Sequence, residues 1–140
     1  WRRSFDVPPP PVDTTSPEHP LADPTYQQLV RDGLDPSLLP ATECLQDVLH
    51  RVLPYWNETI RPRLEADAHV LITAHGNSLR ALIMHLENLS PHDIAEFNVP
   101  TGVPRKYEFT KDMVVTSVGY LGDPTAIAAA TDAVARQASK

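Results

Sequence analysis

The stretch that decides the fold is VLITAHGNSLRALIMHL, Val70–Leu86. Its beginning, HVLITA (His69–Ala74), is short, rich in β-branched residues and almost continuously apolar, and therefore predicts a strand buried on both faces of a parallel sheet. The apolar side chains that follow have helical spacing; they are Leu79, Leu82, Ile83 and Leu86. The predicted order is strand, tight turn and helix, with residues 75–78 at the turn.

A turn in this position favours binding of an anion. In open α/β sheets, ligands collect beyond the carboxyl ends of the strands. A helix that begins there offers free backbone N–H groups and the positive end of its dipole to a group such as phosphate. The dipole contributes only about 0.3–1 kcal/mol, or up to about 2 kcal/mol when partly buried. Cationic side chains are therefore needed as well.

Arginine suits this task best, because its planar group can donate to two oxygens of a phosphate or carboxylate at once. Arg2 and Arg3 are the candidates. A second interpretation stays open on the pattern alone, in which His75 and Asn77 only cap a helix and the two arginines are solvated.

The remaining elements are predicted from spacing and capping signals. TECLQDVLHRVLPYWNETIRPRL (residues 42–64) predicts an amphipathic helix with Thr42 as its N-cap and a kink or break at Pro54. SPHDIAEF (90–97) predicts a short helix, and strands are expected within 100–109 and 113–121. Asp123 and Pro124 begin an alanine-rich terminal helix. With only three strands, the predicted sheet is incomplete.

The front of the chain is rich in proline. Of 15 prolines, 11 lie at or before Pro62, and four form the run Pro8–Pro11. This composition is typical of irregular or disordered chain, yet the segment also carries apolar side chains that could dock it on the rest of the molecule; these are Trp1, Phe5, Leu21, Tyr26 and Leu29. We divide one domain into a docking segment, 1–41, and an α/β portion with a C-terminal tail, 42–140.

Composition excludes several classes of protein. A formal net charge of −6 and a pI of about 5.4 disfavour nucleic-acid binding. No apolar run approaches the ~20 residues of a membrane span, and no signal peptide is evident. The single cysteine, Cys44, suits a reducing compartment, so we expect a soluble, cytoplasmic protein. The histidines show no metal-like clustering. Because Trp1 is not a natural initiator, we expect a fragment or a trimmed chain.

Four blocks, in order, resemble the cofactor-dependent phosphoglycerate mutases of the histidine phosphatase superfamily. They are WRRSFD (1–6), YWNETI (55–60), AHGNSLRAL (74–82) and NVPTGVP (98–104). The likeness spans essentially the whole chain, and the last two blocks together are highly specific. It implies a three-layer α/β sandwich around a mostly parallel sheet, incomplete in this chain.

The resemblance also implies a reaction and residue roles. The family interconverts 3-phosphoglycerate and 2-phosphoglycerate through a phosphohistidine primed by 2,3-bisphosphoglycerate, without a metal. The position matching His75 faces the phosphorylated histidine and stabilises the phosphoryl group in transfer. Gly76 and Asn77 match substrate-contacting positions, and Arg2 with Arg3 match a pair that holds the acidic groups of the substrate.

The chain also departs from the family. The nucleophilic histidine of the family lies in an Arg-His-Gly block that is not present here, and the same is true of a glutamate that serves as general acid and base. The only His-Gly is His75-Gly76. The chain therefore resembles the C-terminal half of a mutase, with the N-terminal half as a partner, and we expect it to be inactive alone. An unpaired strand predicts a homo-oligomer.

Two alternatives to the mutase stay open. One is a phosphatase of the same superfamily, which passes the phosphoryl group to water. The other is a non-catalytic module that binds phosphorylated metabolites and has no nucleophile. The terminal stretch Ala126–Lys140 resembles a family tail that covers the active site, although it could equally be a frayed end.

Overall fold

The computed structural model describes Trp1 and residues 4–137. Among the described residues, five α-helices precede two strands, and a sixth α-helix follows them. In chain order they are α1 (Pro24–Arg31), α2 (Leu45–Tyr55), α3 (Arg61–Glu65), α4 (Gly76–Glu87), α5 (Pro91–Glu96), β1 (Arg105–Phe109), β2 (Val115–Tyr120) and α6 (Pro124–Gln137). A π-helix, Trp56–Ile60, joins α2 to α3, and 3-10 turns lie at Pro20–Ala22 and Pro36–Leu38.

The proline-rich front lies against the start of α2. The backbone N–H of Gln46 donates to the carbonyl of Phe5 at 2.9 Å, and the hydroxyl of Thr42 donates to the carbonyl of Pro9 at 2.6 Å. The ring of Phe5 packs on the core. Residues 4–12 are thus held by the molecule, whereas α1 leaves Tyr26 and Leu29 exposed.

Helix α2 begins later than the sequence predicts. Its N-cap is Cys44, and the carboxylate of Asp47 accepts from both the backbone N–H and the thiol of this residue. The prediction of Thr42 as N-cap is therefore wrong, because its hydroxyl is used by the front segment. The helix passes through Pro54 and widens into the π-helix two residues later. Because Pro54 has no N–H to donate, one hydrogen bond of the α-helix is missing here. This missing bond explains the local change to a π-helix.

Helix α4 is the centre of the core. Its residue Ala81 is fully buried against α2 and α5, in a cluster with Leu45, Val48 and Ile94. Its neighbour Leu82 faces a second cluster with Trp56 and Ile60. Adjacent residues on one helix thus contact the two parts of the core, which fixes α4 firmly and with it the turn at its N-terminus.

The predicted strand His69–Ala74 is not formed. Residues 68–75 have no regular secondary structure, and no strand among the described residues pairs with them. Val70 and Ile72 pack on the core, whereas Leu71 is 85% exposed. This alternation is typical of an extended segment covered on one face. The expectation of burial on both faces is wrong for the described chain, because a strand needs a neighbour for its backbone hydrogen bonds.

The sheet of the described residues consists of β1 and β2, paired antiparallel, with Arg105 opposite Tyr120 and an irregularity at Glu108. The two strands and helices α5 and α6 lie where the sequence predicts them. The three-layer sandwich with a mostly parallel sheet, however, is not seen in this part of the chain.

A part-buried ion pair attaches the β1–β2 hairpin to α4. The guanidinium of Arg105 donates to both carboxylate oxygens of Glu87, at 2.9 and 3.0 Å, and both side chains are only 16% exposed. The hydroxyl of Tyr107 donates to the same carboxylate. Burial, and then this hydrogen bond, raise the pKa of Tyr107. The hairpin and α4 therefore share one polar contact in an otherwise apolar junction.

Candidate functional site

A cleft of about 740 Å³ lies at the N-terminus of α4. The front segment, the first turns of α2 and α4, the loop after α5 and helix α6 all contribute to its walls. The residues that matter below are His75, Gly76, Asn77, Ser78, Arg80, Glu43, Cys44, Arg51, Asn98 and Thr101, with Trp1 at the front and Val134 from α6. Its volume lies within the range of small-molecule sites.

His75 is the N-cap of α4. Its Nδ1 accepts a hydrogen bond from the backbone N–H of Asn77 at 3.2 Å. A nitrogen that accepts carries no proton, so the neutral ring has its proton on Nε2. The cap thereby orients the imidazole and leaves Nε2–H as a donor for a ligand in the cleft.

The first turn of α4 offers two more donors. The N–H of Asn77 donates to His75, and that of Leu79 donates to the carbonyl of His75 at 3.1 Å. The N–H groups of Gly76 and Ser78 have no partner among the described residues. A Cβ built at Gly76 would meet no atom within 4 Å. The glycine therefore leaves open the space in front of the helix N-terminus, where a ligand can reach the backbone.

Arg80 connects this turn to the opposite wall. Its Nη2 donates to the carbonyl of Ile94 at 2.5 Å, and its Nη1 donates to Oδ1 of Asn77 at 3.4 Å. Ile94 is fully buried at the end of α5, just before the loop that carries Asn98. The guanidinium thus sets the spacing between the α4 turn and that loop.

The rim on the α2 side carries an ion pair. Nε and Nη2 of Arg51 donate to the carboxylate of Glu43, at 2.6 and 3.1 Å. The Glu43 hydrogen bond raises the pKa of Arg51. These two charges offset each other, and Arg80 is a further basic side chain of the described lining.

The structure brings together three of the five predicted site residues, namely His75, Gly76 and Asn77. Arg2 and Arg3 lie outside the described residues. Sequence analysis did not identify Arg80, although it lies three residues after Asn77 in the same block, which places both on one helix face. Glu43 and Arg51 line the cleft only because α2 folds over it. Their separation in sequence from residue 75 does not predict this.

The described residues, Trp1 and 4–137, hold neither a cluster of metal ligands nor a helix that could span a membrane. No group of three histidine, cysteine, aspartate or glutamate side chains there is placed to hold a metal ion. None of the helices in that part of the chain has both the length and the apolarity needed to cross a membrane.

Comparison with protein families shows a match over most of the chain. The family model described as "Histidine phosphatase superfamily (branch 1)" matches residues 14–118. The matched region contains the α4 turn and every buried residue of the two core clusters, and it ends within β2.

Proposed function

This chain belongs to the histidine phosphatase superfamily, and we propose that it forms the second-histidine side of a phosphoryl-transfer site, in a phosphoglycerate mutase that interconverts 3-phosphoglycerate and 2-phosphoglycerate. The cleft at the N-terminus of α4 is the proposed substrate site. The chain has no Arg-His-Gly block, and we expect no turnover without the half of the domain that would carry one.

One observation carries the proposal. Nε2 of His75, the N–H of Gly76 and the N–H of Ser78 are three donors within one helical turn, and they border a cleft. Donors fixed before the substrate arrives can stabilise the charge that develops on a phosphoryl group in transfer. The positive end of the α4 dipole adds to this effect.

Each site residue then has a defined task. His75 donates from Nε2 to a phosphoryl oxygen, while its Nδ1 keeps the ring oriented by accepting from Asn77. The absence of a side chain at Gly76 allows the phosphoryl group to approach the backbone. Arg2 and Arg3 are proposed to bind the carboxylate and the second acidic group of the substrate.

The residues also fit 2,3-bisphosphoglycerate, since the α4 turn presents backbone and imidazole donors and the Glu43 carboxylate in the lining is paired with Arg51. When bound, this molecule supplies the phosphoryl group that primes the cycle. The chain itself would bind one phosphate at the α4 turn, through the donors of residues 75–78. No metal is part of the proposal.

A second candidate is a non-catalytic module that binds phosphorylated metabolites. In that case the donors of the α4 turn would bind phosphate without any transfer of the phosphoryl group. A phosphatase of the same superfamily is the remaining candidate, and the ratio of mutase to phosphatase turnover in the assembled protein separates it from the mutase.

The partner of the proposal is the other half of the domain, which would pair with residues 68–75. In addition, we expect copies of this chain to associate with one another through the same segment. Leu71 is 85% exposed there, and the backbone has no ladder partner among the described residues. The single buried cysteine, Cys44, fits a reducing cytoplasm.

Calorimetry of 3-phosphoglycerate binding tests the site. Gly76→Ala should weaken binding about tenfold or more, because a methyl group then occupies the phosphate position, while stability is kept or rises since alanine favours a helix. Gly119→Ala in β2 is the matched control, because its Cβ would also meet nothing within 4 Å. Equal affinity of the Gly76→Ala variant and the wild type would remove the α4 turn from the site.

A further inference from the structure

The guanidinium of Arg80 is held at one end by the backbone of α5. Its Nη2 donates to the carbonyl of Ile94 at 2.5 Å and to that of Ala95 at 3.5 Å. Ile94 is fully buried and packs in the same core cluster as Ala81, the residue that follows Arg80 on α4. Because this acceptor is part of the packed core, it fixes the position of Nη2 relative to α4.

The other end of the guanidinium faces Asn77. Its Nη1 donates to Oδ1 of Asn77 at 3.4 Å, across one turn of α4. Residues three apart lie on the same face of a helix, so this contact is local. The guanidinium is planar and rigid, and an anchor at Nη2 therefore also limits where Nη1 can lie. The core thus determines, through Arg80, which group the side chain of Asn77 meets.

This contact decides the orientation of the Asn77 carboxamide. One end of a carboxamide accepts hydrogen bonds and the other donates them, whereas a guanidinium only donates. Asn77 can therefore bond to Arg80 only with Oδ1 turned toward it, which turns Nδ2 away from Arg80. The side chain is exposed at the cleft, and Nδ2 makes no hydrogen bond within the described chain. An N–H₂ donor is thus presented beside the turn of residues 75–78.

The same carboxamide would be a poorer donor without Arg80. An exposed asparagine side chain changes rotamer and turns about its last bond at little cost. Binding then has to order the side chain, at about 0.5–1.5 kcal/mol for a side chain with several rotamers. A donor that is already oriented avoids this loss of affinity. Arg80 can therefore contribute to ligand affinity through Asn77 without touching the ligand itself.

We propose that Arg80 is a positioning residue: anchored on the carbonyl of Ile94, it fixes the Asn77 side chain so that Nδ2 donates to an oxyanion bound at the α4 turn. The inference rests on the proposed function, because it concerns the same cleft. It adds a fourth donor to those of His75, Gly76 and Ser78, and it explains how the core of the molecule sets the direction of that donor.

NMR relaxation of the Asn77 side-chain amide tests the positioning in the ligand-free chain, with Asn77→Ala to assign the signal. We expect an order parameter near 0.85, as in rigid backbone, and a value below about 0.6 in Arg80→Met. The matched control is Arg31→Met, because Arg31 also donates to an amide oxygen three residues earlier, that of Gln28, but lies outside the cleft. Equal order parameters in Arg80→Met and the wild type would overturn the proposal, whether or not the chain binds 3-phosphoglycerate.

Calorimetry with 3-phosphoglycerate tests the consequence for binding. Arg80→Met should weaken binding about three- to tenfold, but should have no further effect in an Asn77→Ala background. Arg80→Lys keeps the charge without the planar group, so it should weaken binding as Arg80→Met does.

Two results of this calorimetry would overturn the proposal. They are additive losses in the double variant and an Arg80→Lys variant that binds like the wild type, since either would mean that Arg80 acts through its charge rather than through Asn77. A wild-type chain that does not bind 3-phosphoglycerate would instead contradict the proposed function, and the relaxation of the Asn77 amide would still decide the role of Arg80.

Discussion

At the scale of single residues, His75 combines a structural and a chemical role. The ring caps α4 through Nδ1, and the same hydrogen bond leaves Nε2–H available in the cleft. The sequence allowed either interpretation, a helix cap or a ligand contact, and the geometry permits both at once. The capping role follows from local chemistry, whereas the position of the ring in a cleft depends on packing of α2, α5 and α6 around it.

Two substitutions separate these roles. Serine is a better N-cap than histidine, so His75→Ser should retain the stability of the chain, whereas His75→Ala should lose about 0.5–2 kcal/mol in urea unfolding. Both remove the imidazole, so both should weaken 3-phosphoglycerate binding in calorimetry to a similar extent. If His75→Ser bound like the wild type, the histidine would serve only as a cap.

His85 predicts a dependence of stability on pH. Its pKa is lowered by burial and then by Arg61, so the unfolded chain binds the proton more readily than the folded chain does. This histidine therefore lowers stability as the pH falls below about 6.5, its ordinary pKa, and has no such effect above it. His85→Gln should make urea unfolding less dependent on pH between about 7 and 5.

The partial control for this prediction is Arg61→Gln, which removes the charge of Arg61 but leaves the burial of His85 unchanged. It should reduce the pH dependence without abolishing it. If the stability of the His85→Gln variant depended on pH as steeply as that of the wild type, the histidine would titrate alike in the folded and the unfolded chain.

At the scale of elements, the helices after residue 42 were predicted well, whereas α1 and the central strand were not. The helix beginning at residue 76 and the short helix beginning at Pro91 follow from apolar spacing and capping, which are properties of neighbouring residues. Ser90 accepts from the N–H of Asp93 at 3.1 Å, as its sequence context indicates. A strand also requires a partner from another part of the chain, and residues 68–75 have none among those described.

Two ion pairs of β1 should contribute unequally to stability, because the pair between β1 and α4 is less exposed than the pair within β1. Arg105→Leu leaves Glu87 unpaired at a site where it is 16% exposed, and should cost about 3 kcal/mol in urea unfolding. The matched control is Lys106→Ala in the next residue of β1, whose pair with Glu108 is about half exposed. That change should cost less than about 1 kcal/mol.

The double variant Arg105→Leu with Glu87→Leu removes both charges, and should recover much of the lost stability because no unpaired charge is then buried. Similar losses of stability for the Arg105 and Lys106 variants would contradict the claim that the Arg105–Glu87 pair holds the hairpin to α4.

At the scale of the whole molecule, the segment 68–75 is uncovered on one face and lies beside the packed core. Val70 and Ile72 pack inward, and Leu71 points away from the core with 85% of its surface exposed. The sequence predicted an incomplete sheet from the number of strands. It did not predict that the segment would be covered on one face only, because that depends on which elements are present to pack against it.

Self-association tests the role of this segment. Leu71→Asp should shift the chain toward the monomer in sedimentation velocity, while stability changes by less than about 0.5 kcal/mol since the side chain is exposed. Leu38→Asp is the control, because Leu38 is also an exposed leucine, at 68%, in the front segment. A wild-type chain that sediments as a monomer at all concentrations would rule out the association.

The central claim is that the N-terminus of α4 binds a phosphoryl anion, and an amide NMR titration with 3-phosphoglycerate tests it most directly. The account predicts saturable shifts of the Gly76 and Ser78 amides, which have no partner among the described residues, and of the His75 ring, with no shift of the Trp56 indole. Amide signals of residues 75–78 that do not move, while other parts of the chain respond, would contradict the claim.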